Sequence, residues 1–319
     1  MDRPMALAAL NLADRGPGRY AILARAEDAP AADLPVLAVI GAQPGPTLVA
    51  TAGVHGDEYE GPQALWRVAA ELSCEEMHGT LVAFPLCNPW AAAAGERATP
   101  ASIDGLNLAR AFPGNPGGSP TQRLAAALFQ CVVRLQPALL VDLHSGGVRY
   151  RFQPMVGYRH GLGDEARSRS AARAFGLAAL WELRDHPGTL SAEIARRGIP
   201  AVGVEMTGAG GALEADVDAD SAGVVNLLRW LGVLRDRPAL EVSGSFRRLI
   251  EVVSTADGFT VPLREVGQAV AKGDALARVL TVLGETAQVA TAPHAGTVWV
   301  MRHLRTIRSG EMVCAVATR

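Results

Sequence analysis

The sequence predicts an α/β protein: a mostly parallel, mixed sheet with helices on both faces, followed by a small C-terminal all-β domain. Three observations carry this. Between about residues 34 and 234, short apolar runs alternate with stretches of helical period, the texture of βαβ units. Those runs are near-continuous in their hydrophobicity, as strands covered on both faces are. From about residue 240 no helical period is evident, and short valine-rich runs are separated by Gly and Pro turns.

Taken in order, "LPVLAVIG" and "PTLVATAG" read as strands, and "PQALWRVAAEL" as a helix with Pro62 in its first turn. "TLVAFPL" is the next strand. A long coil follows from Cys87 to Pro120, of a size that often carries function. "TQRLAAALFQCVVRL" resumes as a helix, and "PALLVDLHSGG" returns as a strand that ends on polar residues. "DEARSRSAARAFG" and "TLSAEIARRG" read as helices, with "IPAVGVEM" as the strand after them. "EADVDADSAGVVNLLRWLG" opens on acids and closes on glycine, favourable at the two ends of a helix. Beyond it, "FTVPLREVGQAV", "ALARVLTV" and "HAGTVWVM" are short strands. A boundary near Arg237–Pro238 divides the chain into residues 1–237 and 238–319.

At 319 residues the chain can bury a large core, and 49% hydrophobic residues with 34 glycines and 20 prolines describe a compact, turn-rich protein. A formal charge of −2 leaves no electrostatic footprint for nucleic acid or an anionic membrane. The cysteines, Cys74, Cys87, Cys131 and Cys314, form no CxxC pair and suggest no disulfide framework. The N-terminal stretch lacks the layout of a signal peptide, and no apolar run approaches the roughly 18 residues that span a bilayer. The expectation is a cytoplasmic protein. Its oligomeric state stays open, a homo-oligomer included.

Three strands end on residues that dislike burial. His55 and Glu58 follow the strand at 47–53, His144 ends the strand at 139–143, and Glu205 ends the strand at 201–204. In open α/β sheets, sites form at the carboxyl ends of strands. Two histidines and a carboxylate there make a His₂Glu zinc set that leaves a coordination position for water. The HxxE spacing lies in a turn relaxed by Gly53 and Gly56, so both side chains can reach one ion. Glu205 is then placed to act as general base. Asp142, two residues before His144, supports the ligands from behind.

"GVHGDEYEG", "DGLNLARAFPG", "LVDLHSGG" and "VGVEMTGAGG", in this order, resemble the succinylglutamate desuccinylase/aspartoacylase family of carboxypeptidase-like zinc hydrolases. The likeness is strongest to its N-acetyl-diaminobutyrate deacetylase branch and spans roughly residues 45 to 315. It implies a zinc-peptidase α/β domain with a C-terminal β-sandwich or barrel that helps shape the mouth of the site. It also implies one zinc ion per chain, held by His55, Glu58 and His144, with Glu205 as base. Arg110, in "NLARAFPG", matches the arginine that pairs with a substrate carboxylate, and Asn107 lies in the same motif. Arg97, in "GERATP", matches the arginine that polarises the scissile carbonyl.

Two departures bear on substrate. The family reads Asn-Leu-Asn-Arg where this chain has Asn107-Leu108-Ala109-Arg110, so one amide is missing beside the arginine. Aspartoacylases bring a tyrosine from the C-terminal domain, whereas Tyr20, Tyr59, Tyr150 and Tyr158 all precede residue 240. N-acetylaspartate and succinylglutamate are therefore disfavoured. The C-terminal module resembles biotinyl- and lipoyl-type domains, but Lys272, the only lysine, has no carrier motif around it. His186 is a further candidate for lining the site. The implied activity is a deacylase acting on the linear amide bond of a small N-acyl amino acid. A small-peptide metallocarboxypeptidase, or a catalytically silent binding or sensor protein, are the alternatives.

Overall fold

Apolar runs that bury both faces need strand neighbours on both edges, and most of the runs find them in one sheet. The computed structural model describes residues 5–26, 32–239 and 242–318; the outer ends of the two expected units, residues 1–4 and 319, lie outside the described residues. The early strands are β1 (Met5–Ala6), β2 (Gly18–Arg25), β3 (Asp33–Ile40), β4 (Gln43–Thr51), β5 (His78–Phe84), β6 (Leu139–Ser145), β7 (Tyr150–Phe152), β8 (Met155–Arg159), β9 (Ala179–Leu183) and β10 (Ala201–Met206). Among the described residues, all but β7 form a nine-stranded sheet in the order β1-β2-β3-β5-β4-β6-β10-β8-β9. Its centre is parallel, β5-β4-β6-β10. The β2-β3, β3-β5 and β8-β10 pairs are antiparallel, so the sheet is mixed.

The helices are α1 (Glu60–Glu71), α2 (Pro89–Ala94), α3 (Pro120–Arg134), α4 (Glu165–Phe175), α5 (Leu190–Ala195) and α6 (Glu214–Trp230). The period-2 alternation of the central strands decides what each face meets. Leu48, Ala50, Val141, Leu143, Val202 and Val204 pack under α1, α4 and α6. Val49, Leu140 and Ala201 point the other way, against Leu124, Leu128 and Val132 of α3 and Leu190 and Ile194 of α5. Each fully buried Leu, Val or Ile contributes about 1.5–3 kcal/mol relative to exposure, which holds this central ladder rigid. The next positions on this second face are polar: Thr51, Asp142, His144 and Glu205. They are carried on the same rigid strands as the core.

Two parts of the chain differ from the sequence reading. The ordered structure begins well before residue 34, because the alternating run "GRYAILAR" forms β2 along the edge of β3. The long coil is not structureless. Pro89 starts α2, with Asn88 accepting from the Ala91 N–H, and Leu108–Arg110 forms a single 3₁₀ turn capped by Asn107.

The C-terminal strands are β11 (Leu249–Val253), β12 (Gly258–Pro262), β13 (Ala269–Val270), β14 (Ala275–Leu280), β15 (Thr286–Thr291), β16 (Gly296–Arg302), β17 (Thr306–Ile307) and β18 (Met312–Ala317). They form two antiparallel sheets, β11-β18-β16-β13 and β15-β14-β12-β17, around a core that includes Leu276, Val279, Val298, Val313 and Val316. The short strand β7 leaves the large sheet and pairs with β16, which fastens this all-β part beside the strand ends that carry the polar residues. Among the described residues, no helix is long and apolar enough to cross a membrane.

Candidate metal centre and active-site cavity

His55 and Glu58 occupy the turn between β4 and α1, and that turn needs its glycines. Gly53 sits at φ 59°, where a Cβ would also lie 2.7 Å from the Pro85 carbonyl oxygen. A Cβ on Gly56 would collide with the backbone of Ala91. The turn is thereby pressed against the start of the 87–120 segment, with the Gly56 N–H donating to the Glu96 carbonyl at 2.9 Å. His144 and Glu205 come from adjacent parallel strands and are direct partners in the register, as are Asp142 and Gly203.

These positions bring the ligand candidates together. One side-chain donor atom from each of His55, Glu58 and His144 lies within 4.8 Å of the others. His55 Nδ1 is 2.8 Å from Glu58 Oε1, and His144 Nδ1 is 3.0 Å from Glu58 Oε2. The far nitrogen of each ring faces an oxygen: His55 Nε2 meets Asn107 Oδ1 at 3.2 Å, and His144 Nε2 meets Asp142 Oδ2 at 3.2 Å. Asp142 is itself steadied by the Thr51 hydroxyl at 2.8 Å. A neutral imidazole that donates from Nε2 turns the lone pair of Nδ1 inward. Once deprotonated at Nδ1, both rings would turn a lone pair toward the side of Glu58, a donor set that fits a small divalent ion in a tetrahedral site.

The electrostatics follow from burial among charges. Burial works against the Glu58 carboxylate, yet His55 and His144 hold it well below the usual range. Burial lowers His55. Burial also opposes the charge on His144, but Asp142 and Glu58 on either side of the ring raise it well above an ordinary imidazole. Glu205 is pushed up to about 8, first by burial and then by the charges of Glu58 and Asp142, against the pull of His144 and Arg97. Among the described residues, no donor hydrogen-bonds the Glu205 carboxylate. Arg97 reaches the centre directly, donating from Nη1 to Glu58 Oε1 at 2.8 Å.

The acids left over in the turn hold the neighbouring loops. Asp57 Oδ2 accepts from the Val148 N–H after β6 at 3.1 Å, and Glu60 Oε1 accepts from the Gly208 N–H after β10 at 3.2 Å. The crowding of charge in "VHGDEYEG" is thus shared between a candidate ion site and the clamping of two strand ends.

A cavity of about 530 Å³ opens beside this centre. His55, Arg97, Arg110, Asp142, His144, His186 and Glu205 all border it. Asn107 does not; its carbonyl is taken by His55 Nε2 and the Ala109 N–H. The C-terminal sheet closes one side of the mouth with Leu249, Glu251, Val300 and Met312. Tyr150 also lines the cavity, so a tyrosine reaches it from β7 rather than from the C-terminal sequence. Arg159, another lining residue, went unread in the sequence because "PMVGYRHG" carries no strong strand pattern. Its signal was the spacing of Met155, Gly157 and Arg159, which puts a charge on the cavity side of β8.

A sequence profile of the succinylglutamate desuccinylase/aspartoacylase catalytic domain matches residues 44–231, more than half of the chain. The chain belongs to the succinylglutamate desuccinylase/aspartoacylase family. It is 30% identical over 287 residues to the N-alpha-acetyl-L-2,4-diaminobutyric acid deacetylase of Halomonas elongata, covering 86% of this chain and 82% of that one. Its fold is similar to the product-bound structure of the ectoine utilization protein EutE (DoeB) from Ruegeria pomeroyi, with TM-score 0.86, 30% identity and 98% of each chain covered. It is equally similar to a succinylglutamate desuccinylase/aspartoacylase from Rhodobacter sphaeroides, with TM-score 0.86, 28% identity and 97% of each chain covered. Members of this family thus share the large mixed sheet and the C-terminal antiparallel sheets described above.

Proposed function

We propose that this protein is a zinc-dependent amidohydrolase that removes a small acyl group, acetyl being the best candidate, from an N-acyl amino acid. The observation that carries the reading is the convergence of His55 Nδ1, His144 Nδ1 and Glu58 at the end of the parallel ladder, with Glu205 one strand away on the same cavity wall. His55, Glu58 and His144 would hold one zinc ion. A bound zinc ion supplies Lewis acidity toward a carbonyl and lowers the pKa of water. The relatives named as a deacetylase and a desuccinylase support acyl-amide hydrolysis.

The remaining roles belong to the side chains of the chain itself. Glu205, whose carboxylate accepts no hydrogen bond among the described residues, takes a proton from the attacking water and passes it to the departing amine nitrogen. Arg97 lies against the ligand set, where its guanidinium can meet the negative charge that develops on the carbonyl oxygen. Arg110 borders the cavity, forms no ion pair among the described residues, and can pair with the carboxylate of the amino acid. Asn107 and Asp142 fix the orientation of the two imidazoles. Residues 1–237 form the catalytic unit in this reading, and residues 238–319 shape its mouth.

The test is side-by-side turnover by zinc-loaded protein of N-acetyl amino acids with acidic, basic and neutral side chains, and of dipeptides. Release of acetate from one of the first group is the expected result. Preferential cleavage of dipeptides would make the protein a small carboxypeptidase instead. Stoichiometric zinc with no hydrolysis across the panel would make it a silent binding protein.

A further inference from the structure

Opposite the candidate metal centre, the cavity is bordered by a second group of polar residues. On β8, Met155, Gly157 and Arg159 share one face, and the register sets Met155 beside Glu205 and Gly157 beside Gly203. Gly203 leaves open room on the cavity side: a Cβ there would meet only Leu183 Cδ2, at 3.9 Å. Past this gap sits Arg159, half-buried and held in place. Its Nε and Nη2 donate to the Ser191 hydroxyl at 3.4 and 3.2 Å, and Nη1 donates to the Arg184 carbonyl at 3.0 Å. None of these partners carries a charge. Among the described residues, no carboxylate forms an ion pair with Arg159 or with Arg110.

Arg110 comes to the same corner from the 3₁₀ turn, because the Phe112 N–H donates to the Gly188 carbonyl at 3.1 Å and a Cβ on Gly188 would press on the Arg110 backbone. His186 lies on the turn that makes this contact, and it borders the cavity as well. A half-buried guanidinium fixed by neutral groups and left without a counter-ion is costly, and the cost is met where an anion is received. We propose that Arg159 and Arg110 together form the subsite for the carboxylate of the substrate, with Gly203 providing the passage between that subsite and the reacting amide.

This inference rests on the deacylase reading for the identity of the ligand, but the subsite stands on its own geometry. Burial pulls the Arg159 guanidinium down to about 10; the charges of Asp142, Glu205 and Asp185, none of them in an ion pair with it, work against this, and the charge of Arg110 pulls in the same direction as burial. His186 is lowered by burial and then by both arginines. A carboxylate between the two guanidiniums relieves each of these repulsions. Arg110 alone would be a single arm on a half-open loop. Arg159 adds a second arm whose direction is set by Ser191 and Arg184, and two arms discriminate a carboxylate from an uncharged amide.

The experiment compares N-acetyl-L-alanine with N-acetyl-L-alaninamide, using zinc-loaded wild type and the Arg159→Gln, Arg159→Lys and Gly203→Val variants. Turnover is followed, and binding is measured by calorimetry in a Glu205→Gln background. Arg159→Gln is expected to weaken binding of the carboxylate by about 10- to 100-fold, entering through KM rather than kcat, and to leave the carboxamide unchanged. Arg159→Lys should restore part of the loss. Gly203→Val, whose side chain has room to fit, should raise KM for the carboxylate with the zinc content unaltered. Equal preference for carboxylate over carboxamide in wild type and Arg159→Gln would overturn the proposal. Absence of any carboxylate-dependent binding to the wild type would overturn it too. Arg159-dependent binding without hydrolysis of any acyl amino acid would keep the subsite and refute the deacylase reading alone.

Discussion

Around His55 and His144, every ring nitrogen meets an oxygen inside the protein: Glu58 on the inner side, Asn107 and Asp142 on the outer. Around Arg110 and Arg159, the hydrogen-bond partners are a hydroxyl and backbone carbonyls, and among the described residues no carboxylate forms an ion pair with either. Both groups border one cavity. The difference follows from what each must hold. A metal site gains affinity when its donors are oriented in advance, so their free nitrogens are tied down. A site for an organic anion gains it from capacity left unmet until the ligand arrives. The same contrast separates Glu58, held by His55, His144 and Arg97, from Glu205, which among the described residues has no hydrogen-bond donor and can still take a proton.

The most severe way to break this arrangement is at the metal corner. His144→Ala removes one of the three proposed ligands and the inner partner of Glu58 Oε2. Zinc content, measured by elemental analysis, is expected to fall from about one ion per chain to near zero, and turnover with it. A variant that retained zinc would mean that the ligand set is misassigned. Glu205→Gln should act differently, keeping zinc while kcat drops by about 10²- to 10⁴-fold. Activity near that of the wild type in this variant would remove Glu205 from the role of base. A third change tests orientation alone. Asp142→Asn exchanges the oxygen that faces His144 Nε2 for a mixed amide, and zinc affinity measured by competition with a chelator should fall by about 10- to 100-fold. An unchanged affinity would show that Thr51 and Asp142 do not set the ring.

How much of this could be read before the structure depends on which residues stood out against their surroundings. His55, Glu58, His144 and Glu205 interrupt smooth apolar strands, so their polarity was conspicuous and their order along the sheet placed them together. Arg159 had no such background. It follows "PMVGY", a short run flanked by polar residues, and only the antiparallel pairing of β8 with β10 sets it on the cavity side. Tyr150 was legible as a tyrosine but not as a lining residue, since β7 joins a sheet built from residues more than ninety positions later. Strand β2, next to the short edge strand β1, was passed over for a related reason, because one side of it faces solvent and its alternation resembles that of a surface segment. Asp57 and Glu60 showed their charge in the sequence, while the loops they clamp come from distant strand ends.

The smallest expected effect concerns the cationic corner through its support. Asp104 accepts from the Ser119 hydroxyl at 2.8 Å, from the Thr121 N–H at 2.8 Å and hydroxyl at 2.7 Å, and from the Leu106 N–H at 3.1 Å. It thus ties the segment leading to Arg110 onto the start of α3, where a negative charge is also favoured by the helix dipole. Burial opposes this carboxylate, but the donors from Thr121, Leu106 and Ser119 outweigh it and hold its pKa below the usual value. Asp104→Asn turns an amide group toward these donors and should cost about 1–2 kcal/mol in denaturant unfolding. Because the folded-state pKa is lowered, this advantage of the wild type is full above the unfolded carboxylate pKa of about 4 and is lost as pH falls through the folded value. The gap between wild type and variant should therefore be constant from neutral pH to about 5 and close on further acidification. A gap independent of pH would mean that the charge of Asp104 contributes nothing beyond its shape. In the same variant, KM for a carboxylate substrate should rise about two- to fivefold while zinc content stays at the wild-type level, because the loosened segment carries Arg110 and not the ligands. If zinc were lost along with carboxylate affinity, the two corners would not be separable and the contrast drawn between them would fail.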